Sequence, residues 1–460
     1  MKKYNTVWEK CDTAAKMKQL MAFSEGYKKY MDVSKTEREA VTETIRLARK
    51  AGFKEFSEFK KLKAGDKIYF NNRGKSLALF VLGKDPLEEG LNILGAHIDS
   101  PRIDLKQNPL YEDNDLVLLD THYYGGIKKY QWVALPLAIH GVVCKKDGKT
   151  ISVAIGEKEE DPIVGISDLL IHLSRDQLAK TGSKVVEGED LNALIGSIPA
   201  KKTEEKEELV KKNILKILKD EYDIEEEDFI SAELELVPSG KARDFGLDRS
   251  MVMAYGHDDR ICAYTSIMAL LESEEPKRTS ACILTDKEEI GSVGATGAQS
   301  AFFENCVAEL LNRTDSCTEL KLRHCLERSC MLSSDVSAGF DPNYPSVNEP
   351  KNAAYLGKGI SFNKFTGSGG KGGSSDASAE YIAKIRKIMD DHKILYQFSE
   401  IGKVDQGGGG TIAYILANKN MDVIDAGIAV QNMHAPYEVA SKADIFEAYQ
   451  AYKFFLKEMA

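Results

Sequence analysis

The sequence predicts an α/β protein with a largely parallel main sheet and a second domain inserted into the first. The length of 460 residues exceeds the size at which a single hydrophobic core usually stops growing, which favours two domains. The later half alternates apolar, strand-like runs with helical patterns, as chains with parallel sheets do. Between residues 108 and 241 this alternation stops. We therefore assign residues 1–107 and 242–460 to the α/β domain and residues 108–241 to an inserted, mainly β domain.

The N-terminal segment, up to Gly52, is predicted to be helical. In SKTEREAV, Ser34 stands three residues before Glu37, which is the spacing of a capping box, and Gly52 is suited to end the helix that begins there. Strands are expected at KIYFN, SLALFVLG, LNILGAHI, ACILTD, SCMLSSD, ILYQFSE and VIDAGIAV, and helices at ASAEYIAKIRKIMDDH and KADIFEAYQAYKFFLKEM.

The predicted insertion has a different sequence pattern. Short β-like pieces with glycines, YYGGIKKYQW, LPLAIHGVVC and TISVAIG, precede a charged helix, KTEEKEELVKKNILKILKDEYD, and an alternating strand, ISAELELVP. The charge run at residues 202–212 is interpreted as the solvated face of that helix.

Composition and charge argue against several classes of protein. The formal net charge of -10 disfavours nucleic acid or an anionic membrane as the main partner. The longest apolar run, WVALPLAI, is far shorter than the roughly 18 residues that a membrane span needs. The N-terminus also lacks the apolar core of a signal peptide, so we expect a cytoplasmic protein.

The cysteines give no recognised metal-binding pattern. Eight cysteines occur without a CxxC pair, as expected in a reducing compartment. The segment CTELKLRHCLERSC gathers Cys317, His324, Cys325 and Cys330, but its spacing matches neither a zinc finger nor a zinc ribbon. Adjacent His324 and Cys325 would also point apart on a helix or a strand, so we interpret this segment as structural.

Two glycine-rich stretches match ligand-binding loops only in part. TGSGGKGGSSD has Gly372 after Lys371, where a phosphate-binding loop requires Ser or Thr. KVDQGGGGTIAYIL runs into a predicted helix, so its glycines are expected to allow close backbone approach at a helix N-terminus, either as a pocket wall or as a tight turn.

Polar residues follow the predicted strands. His97 and Asp99 come directly after the apolar run in LNILGAHIDSPRIDLK, a pair that on its own is more often structural than metal-binding. Because sites in open α/β sheets assemble at the carboxyl ends of strands, further candidates at strand ends would predict one shared site. Such candidates are Asp258 in YGHDDRICAY, Glu288 and Glu289 in LTDKEEIGSVGATGA, Asp335 in MLSSDVSAG and His434 in QNMHAPYE.

These residue types suit a pair of zinc-like ions. Two imidazoles and several carboxylates are suitable ligands, and one carboxylate can bridge both ions. Two ions about 3.5–4 Å apart can hold a hydroxide between them and polarise a carbonyl group. Of two adjacent glutamates, one can bind metal while the other carries a proton from water to a leaving amine. Asp99 can orient His97 through the second ring nitrogen of the imidazole.

The ordered series HIDSPR, HDDR, KEEIGSxGxxGA, SSDVSAG and MHAPYE, with the helical SKTEREAV, resembles the aspartyl-aminopeptidase family of di-zinc metallo-aminopeptidases over nearly the whole chain. The resemblance implies a phosphorylase/hydrolase-like zinc exopeptidase domain, an inserted dimerisation domain and a tetrahedral assembly of twelve subunits. It also implies an aminopeptidase that removes single N-terminal residues from short peptides.

By motif, the resemblance gives each candidate residue a role. Glu288 would be the general base and then the general acid, and Asp99 would orient His97. Asp258 would bridge two divalent ions, zinc first, with cobalt or manganese as alternatives. The complete set of metal ligands would be His97, Asp258, Glu289, Asp335 and His434.

The inserted domain keeps part of the family pattern and departs from it elsewhere. His172, in LLIHLSRDQ, resembles a family histidine that reaches the active site of a neighbouring subunit. Ala134 and Leu135 replace the usual Asp-Arg, which leaves details of the dimer contact open. The family skeleton is kept at Trp132, Pro136, Leu137 and Gly141.

The protein is expected to show little of the preference for acidic N-terminal residues that the family name suggests. Ser361, in YLGKGISFNKF, stands where family members that prefer acidic N-terminal residues have a lysine. A serine offers no charge to a buried acidic side chain, so neutral N-terminal residues are expected. Lys358, Lys364 or Lys371 could supply the charge from a shifted position.

Two other interpretations of function stay open. A related di-metal carboxypeptidase or N-acyl deacylase would share the ligands, and acetylation of a peptide's N-terminus distinguishes it from an aminopeptidase. A non-catalytic oligomeric scaffold would keep the fold. Loss of Glu288 or of a ligand would favour the scaffold, and none is lost.

Overall fold

The computed structural model of the protein describes residues 4–201 and 207–459. The chain folds into two compact units. The first comprises Met1–Ser100, Ala242–Met433 and Glu438–Ala460, and the second comprises Pro101–Lys241 and His434–Tyr437. In the part of the chain that is described, no helix has the length and apolar character needed to cross a membrane.

The helices and strands of the described residues are numbered in chain order. The helices are α1 (Val7–Lys10), α2 (Ala14–Asp32), α3 (Glu37–Lys50), α4 (Arg175–Leu178), α5 (Leu209–Tyr222), α6 (His257–Leu271), α7 (Phe302–Thr314), α8 (Glu319–Glu327), α9 (Ala379–Asp391), α10 (Ala413–Ala417) and α11 (Lys442–Glu458). The strands are β1 (Lys54–Glu55), β2 (Lys67–Asn72), β3 (Ser76–Val81), β4 (Leu91–His97), β5 (Arg102–Asp113), β6 (Leu116–Tyr124), β7 (Leu137–Cys144), β8 (Thr150–Ile155), β9 (Gly165–Ile166), β10 (Ala193–Gly196), β11 (Ala232–Pro238), β12 (Arg243–Phe245), β13 (Met251–Ala254), β14 (Thr279–Thr285), β15 (Cys330–Ser333), β16 (Ser337–Ala338), β17 (Ile360–Asn363), β18 (Gly367–Ser368), β19 (Tyr396–Phe398), β20 (Gly408–Gly409), β21 (Asp422–Gly427), β22 (Ala429–Gln431) and β23 (Glu438–Ser441).

The first unit is built on a nine-stranded mixed sheet in the order β1-β2-β3-β14-β4-β15-β21-β17-β19. The neighbouring strands β14, β4, β15 and β21 run parallel to one another. These strands are almost entirely buried and are rich in apolar residues, because helices cover both faces of the sheet. The α/β class predicted from the alternation of elements is confirmed.

Two hydrophobic clusters lie on opposite faces of this sheet. One includes Leu94 and Leu332 and packs against α2, α6, α9 and α11. The other includes Ile93 and Met331, their neighbours along the same strands, and packs against α7, α8 and α10. Adjacent residues of a strand point to opposite faces, so each central strand contributes to both clusters. The first unit therefore has three layers, with helices on each side of the sheet.

The capping box of α3 lies two residues later than predicted. Thr36, not Ser34, is the cap: its hydroxyl accepts the N–H of Glu39 at 3.2 Å, and the Glu39 carboxylate accepts the N–H of Thr36 at 3.1 Å. Glu37 is instead buried, with its Oε1 3.1 Å from Lys75 Nζ.

The second unit is a seven-stranded antiparallel sheet in the order β8-β7-β11-β5-β6-β10-β9, with α4 and α5. Ala134 lies in the left-handed region with φ 57°, a conformation that Asp adopts more readily than Ala. One hydrophobic core of this unit consists of Val143, Val153, Ile224, Phe229 and Leu234.

The second unit starts earlier than the predicted boundary at residue 108. Residues 101–107, which we assigned to the α/β domain, lead into and form part of β5. This strand continues past Pro109 through an irregular pairing between Leu105 and Leu110. Proline cannot donate a hydrogen bond to a sheet, so Pro109 coincides with an irregularity inside the strand and not with a domain boundary.

The predicted charged helix corresponds to α5. Lys216 pairs with Asp220, and Lys219 lies 3.1 Å from Asp223, each one helical turn away at the surface. Such pairs agree with a solvated helix face. Residues 202–206 of the predicted charge run lie outside the described residues.

Candidate metal centre

Three neighbouring strands of the first unit end at one edge of the main sheet. β4 ends at His97, which is paired with Thr285, the last residue of β14. Ser333, the last residue of β15, is paired with Gly95 of β4. Because these strands are parallel, the segments that follow them leave the sheet on the same side. Those segments carry Asp99, Glu288, Glu289 and Asp335.

His97 lies at the centre of the candidate site. Its Nε2 is 3.0 Å from Oδ1 of Asp258 and 4.0 Å from Oε2 of Glu288. The ligand atoms of His97, Asp258 and Asp335 lie within 4.8 Å of one another, and so do those of His97, Glu288 and Glu289. His97 and Asp258 are buried, whereas the other three residues are partly exposed. The structure thus brings together five of the residues predicted from the sequence.

The tandem glutamates lie on a short 3₁₀ turn, Glu288–Ile290. Asp99 holds this turn in place, because its Oδ1 accepts the N–H of Glu288 and its Oδ2 accepts the N–H of Glu289, each at 3.2 Å. One buried carboxylate therefore fixes the backbone of both glutamates.

Asp99 also contacts His97. Nδ1 of His97 lies 3.3 Å from Oδ1 of Asp99 and 3.0 Å from its backbone carbonyl oxygen. With Nδ1 engaged in this way, Nε2 is the ring nitrogen directed at the carboxylate cluster. The sequence predicted that Asp99 orients His97. The contacts to the tandem glutamates were missed, because residues so distant in sequence give no spacing signal.

The HDDR segment at the start of α6 is anchored to other parts of the first unit. The Tyr27 hydroxyl lies 2.5 Å from Nδ1 of His257, and Arg260 donates to the carbonyl oxygens of Ile98 and Lys35. Burial lowers the pKa of His257 to about 4. Its imidazole is therefore neutral near pH 7, so one nitrogen can accept a hydrogen bond while the other donates one.

Gly427, at the end of β21, allows the segment of Asp335 to pack closely against the sheet. A Cβ at position 427 would lie 1.7 Å from the carbonyl oxygen of Asp335. No side chain larger than hydrogen fits there without moving the backbone of the predicted ligand. The strand pattern VIDAGIAV gave no indication of this close contact.

The proximity of the charged groups shifts their pKa values. Burial alone would lower the pKa of His97, but its hydrogen bonds to Asp258 and Asp99 outweigh burial and raise it well above its usual value. Burial raises the pKa of Asp335 well above its usual range, Asp259 raises it further, and His97 opposes the rise. The cluster thus contains more negatively charged carboxylates than the positive charge of its one imidazole can neutralise. Divalent cations suit such a donor set of imidazole nitrogen and carboxylate oxygen.

Two predicted histidines lie in the second unit. His434 has its Nδ1 2.8 Å from the carbonyl oxygen of Gly126 and a left-handed backbone, φ 66°. His172 lies on an exposed 3₁₀ turn, Ile171–Leu173. The roles of both residues stay predictions from the motifs.

The cysteine-rich segment is divided among different environments. Cys325 lies in the hydrophobic cluster on one face of the main sheet, and Cys330 lies in the cluster on the other face. Cys317 is exposed. The three cysteines therefore lie in different parts of the first unit and do not surround a common metal site.

An α/β sheet whose carboxyl edge gathers an imidazole and four carboxylates is typical of metal-dependent hydrolases. The family model described as aminopeptidase I zinc metalloprotease (M18) matches residues 30–456. A probable M18 family aminopeptidase 1 from Clostridium acetobutylicum is 60% identical over 460 residues, which cover 99% of this chain and 98% of the relative. The chain therefore belongs to the M18 family, and it is a zinc aminopeptidase.

Solved structures show the same fold. An M18-family aminopeptidase from Thermotoga maritima superposes with a TM-score of 0.94 at 44% identity, covering 99% of both chains. The S. cerevisiae mApe1 dodecamer superposes with a TM-score of 0.76 at 22% identity, covering 94% of this chain and 96% of that one. At that identity the yeast structure supports the fold alone.

Proposed function

We propose that the protein holds two zinc ions in this centre and hydrolyses the N-terminal residues of short peptides. The observation that carries the proposal is the meeting of His97, Asp258 and Asp335 within 4.8 Å, with the tandem glutamates beside the same imidazole. Cobalt and manganese accept similar ligands and are the alternatives.

Asp258 is proposed as the ligand that both ions share. His97 and Asp335 would complete the first ion's protein ligands, and Glu289 and His434 those of the second. The assignment of His434 depends on the motif MHAPYE. Imidazole nitrogen and carboxylate oxygen are the ligands that catalytic zinc commonly uses.

Glu288 is proposed as the proton carrier. When bound, the ions would lower the pKa of a water molecule and polarise the carbonyl group of the scissile bond. Glu288 takes the proton from the attacking water and delivers it to the nitrogen of the leaving amine. Its carboxylate is partly exposed and lies 4.0 Å from Nε2 of His97, so it borders the centre within reach of a substrate. Asp99 supports this role by fixing the Glu288 amide.

The alternative functions have less support. A carboxypeptidase or an N-acyl deacylase would use a similar centre, but the matching family model and the relative at 60% identity are both aminopeptidases. A non-catalytic scaffold would have no need for Glu288, whereas the chain keeps this residue on a turn anchored by two hydrogen bonds to Asp99.

Neutral N-terminal residues are proposed as the preferred substrates. Ser361 is buried in β17, and its hydroxyl lies 2.6 Å from that of another buried serine. It offers no charge, so an acidic substrate side chain would be desolvated without compensation. Lys364 and Lys371 both pair with Asp376, and Lys358 donates to a backbone carbonyl. These contacts already engage the lysines that could have supplied the charge.

We expect kcat/KM at one zinc concentration to be about tenfold or more higher for Leu- and Ala-peptides than for Asp- and Glu-peptides. The measurement is a panel of Leu-, Ala-, Lys-, Asp- and Glu-peptides. An acetylated Leu-peptide is the control and should not be cleaved. A strong preference for Asp or Glu that Lys364→Met or Lys371→Met abolishes would contradict the proposal.

The inserted unit is proposed to mediate dimerisation within a tetrahedral dodecamer. Its segment around His172 carries Leu170, Ile171 and Leu173, which are 53%, 69% and 68% exposed. Neighbouring exposed apolar side chains are typical of a surface that another subunit covers. The yeast structure, which has the same fold, is a dodecamer. In such an assembly His172 would act at the centre of a neighbouring subunit.

Light scattering should give a mass near twelve times that of the 51.0 kDa chain. His172→Phe should lower turnover without changing zinc content, because it removes a group that acts on the substrate and not on the metal. Leu173→Glu is the companion variant and should dissociate the assembly. A monomer with full activity would refute this part of the proposal.

The detailed description of the fold and the cellular location are also proposals. The three-layer first unit with its central parallel strands supports the description as a phosphorylase/hydrolase-like zinc exopeptidase domain. The cytoplasmic location is proposed from the cysteine content, because eight cysteines without a CxxC pair are expected in a reducing compartment.

A further inference from the structure

We infer that Ser100 and Glu438 are positioning residues that hold the backbone of Asp258 from both sides. This pair is called the Asp258 clamp below. The inference rests on the proposed function, in which Asp258 is the ligand shared by two metal ions. It adds two residues, from two different elements, that act on the metal centre without being ligands.

Glu438 holds the amide side of Asp258. Its Oε2 accepts the N–H of Asp258 at 3.0 Å, and the side chain is only 1% exposed. The strand pairing explains this placement: Glu438 is the first residue of β23 and is paired with Ala254, the last residue of β13. The chain then runs from Ala254 to Asp258 in four residues, so the carboxylate and the amide are brought together by the sheet.

Ser100 holds the carbonyl side of Asp258. Its hydroxyl donates to the Asp258 carbonyl oxygen at 2.5 Å, and the residue is fully buried. Ser100 follows His97 by three residues, so this hydrogen bond links the segment of one predicted ligand to the backbone of another. A Cβ at Gly256 would lie 2.9 Å from the Ser100 hydroxyl oxygen, so a glycine at that position leaves room for the contact.

The clamp is needed because the helix does not fix this part of the chain. Asp258 and Asp259 lie within the bounds of α6 but have non-helical backbone angles, φ -77° and ψ 106° for Asp258 and φ -117° and ψ 24° for Asp259. A ligand shared by two ions would have to be held to within about 0.5 Å of its productive position. Side chains that bind the groups on either side of its Cα supply the rigidity that regular helical hydrogen bonds would otherwise give.

The test compares zinc affinities, measured by competition with a chromogenic chelator, for variants of each half of the clamp. We expect Ser100→Ala and Glu438→Ala each to weaken zinc binding by about 10- to 100-fold, the range found when groups that orient ligands are removed. Ser100→Thr and Glu438→Gln should keep most of the affinity, because each retains a hydroxyl donor or an oxygen acceptor at the same place. The absorption spectrum of the cobalt-substituted protein should change in the two alanine variants and not in the conservative ones.

Two matched controls separate positioning from general destabilisation. Ser24 is a fully buried serine that donates to the backbone carbonyl of Leu20, and Glu447 is a 1% exposed glutamate that accepts the backbone N–H of Leu395. Neither hydrogen bond involves a predicted metal ligand. Ser24→Ala and Glu447→Ala should therefore keep the wild-type zinc affinity. An equal loss in the controls would overturn the inference, and so would wild-type affinity with an unchanged cobalt spectrum in either Ser100→Ala or Glu438→Ala.

Asp258→Asn distinguishes failure of this inference from failure of the proposed function. If Asp258→Asn keeps both ions at wild-type affinity, Asp258 is not a shared ligand and the proposed function itself fails. If Asp258→Asn loses zinc while both clamp variants bind it normally, the proposed function stands and the clamp is refuted. Ser100→Ala removes a single hydroxyl oxygen, so it gives the decisive comparison should Glu438→Ala not fold.

Discussion

Glu288→Gln should lower turnover by about 100- to 10,000-fold while both metal ions stay bound. The substitution keeps the size of the side chain and removes its ability to take a proton from water. The change leaves untouched the proposed ligand set of His97, Asp258, Glu289, Asp335 and His434. The measurement is kcat under saturating substrate together with elemental analysis of the purified variant.

A control variant tests whether turnover falls on loss of any glutamate charge or only on loss of the charge at position 288. Glu272→Gln changes a surface glutamate that lies beside Lys453, away from the metal centre, and should leave turnover unchanged. Near-normal turnover in Glu288→Gln would show that another group carries the proton.

Glu289→Gln should instead reduce the bound metal. A carboxamide is a weaker ligand for zinc than a carboxylate, so one of the two ions should be lost on dialysis. Turnover should fall with the metal content and should recover in part when zinc is added in excess. Added zinc should not restore Glu288→Gln, because that variant already holds its metal.

The roles assigned to Glu288 and Glu289 would be contradicted by one specific result. They are neighbours on one 3₁₀ turn, and Asp99 accepts the N–H of each at the same distance of 3.2 Å. Loss of the turn would therefore affect both variants alike. If Glu289→Gln holds two ions as firmly as the wild type and Glu288→Gln does not, the two roles are reversed.

Much of the centre could be predicted because its residues follow strands. LNILGAHI contains His97, ACILTD leads to Glu288, and SCMLSSD ends at Asp335. Parallel strands deliver such ends to one edge of a sheet. Apolar runs identify the strands from local sequence alone. The chemistry of the residues at their ends then indicated a metal centre before any geometry was known.

The supporting contacts could not be predicted, because they join residues distant in sequence. The carboxylate of Asp99 accepts the N–H of Glu288, which is 189 residues later in the chain. The carboxylate of Glu438 accepts the N–H of Asp258, which is 180 residues earlier. The motif MHAPYE contains Glu438, but no spacing rule connects it to HDDR. The close contact of Gly427 is another example, because the atom that a Cβ there would meet belongs to Asp335, which lies between β15 and β16.

Local sequence is less informative about the boundaries of elements. Ser34 and Glu37 have capping-box spacing, yet the cap is Thr36 with Glu39 as its partner, and Glu37 lies buried next to Lys75. The predicted start of the inserted domain, residue 108, falls within β5, which runs from Arg102 to Asp113. In both cases tertiary packing decided between two patterns that local propensity could not separate.

In the proposed centre, two ions share Asp258. Crystals of the purified protein, measured on both sides of the zinc absorption edge, test it directly. The proposal predicts two anomalous peaks about 3.5–4 Å apart. One should be bounded by His97, Asp258 and Asp335, and the other by Asp258, Glu289 and His434. A single peak, or two peaks of which only one contacts Asp258, would contradict the shared centre.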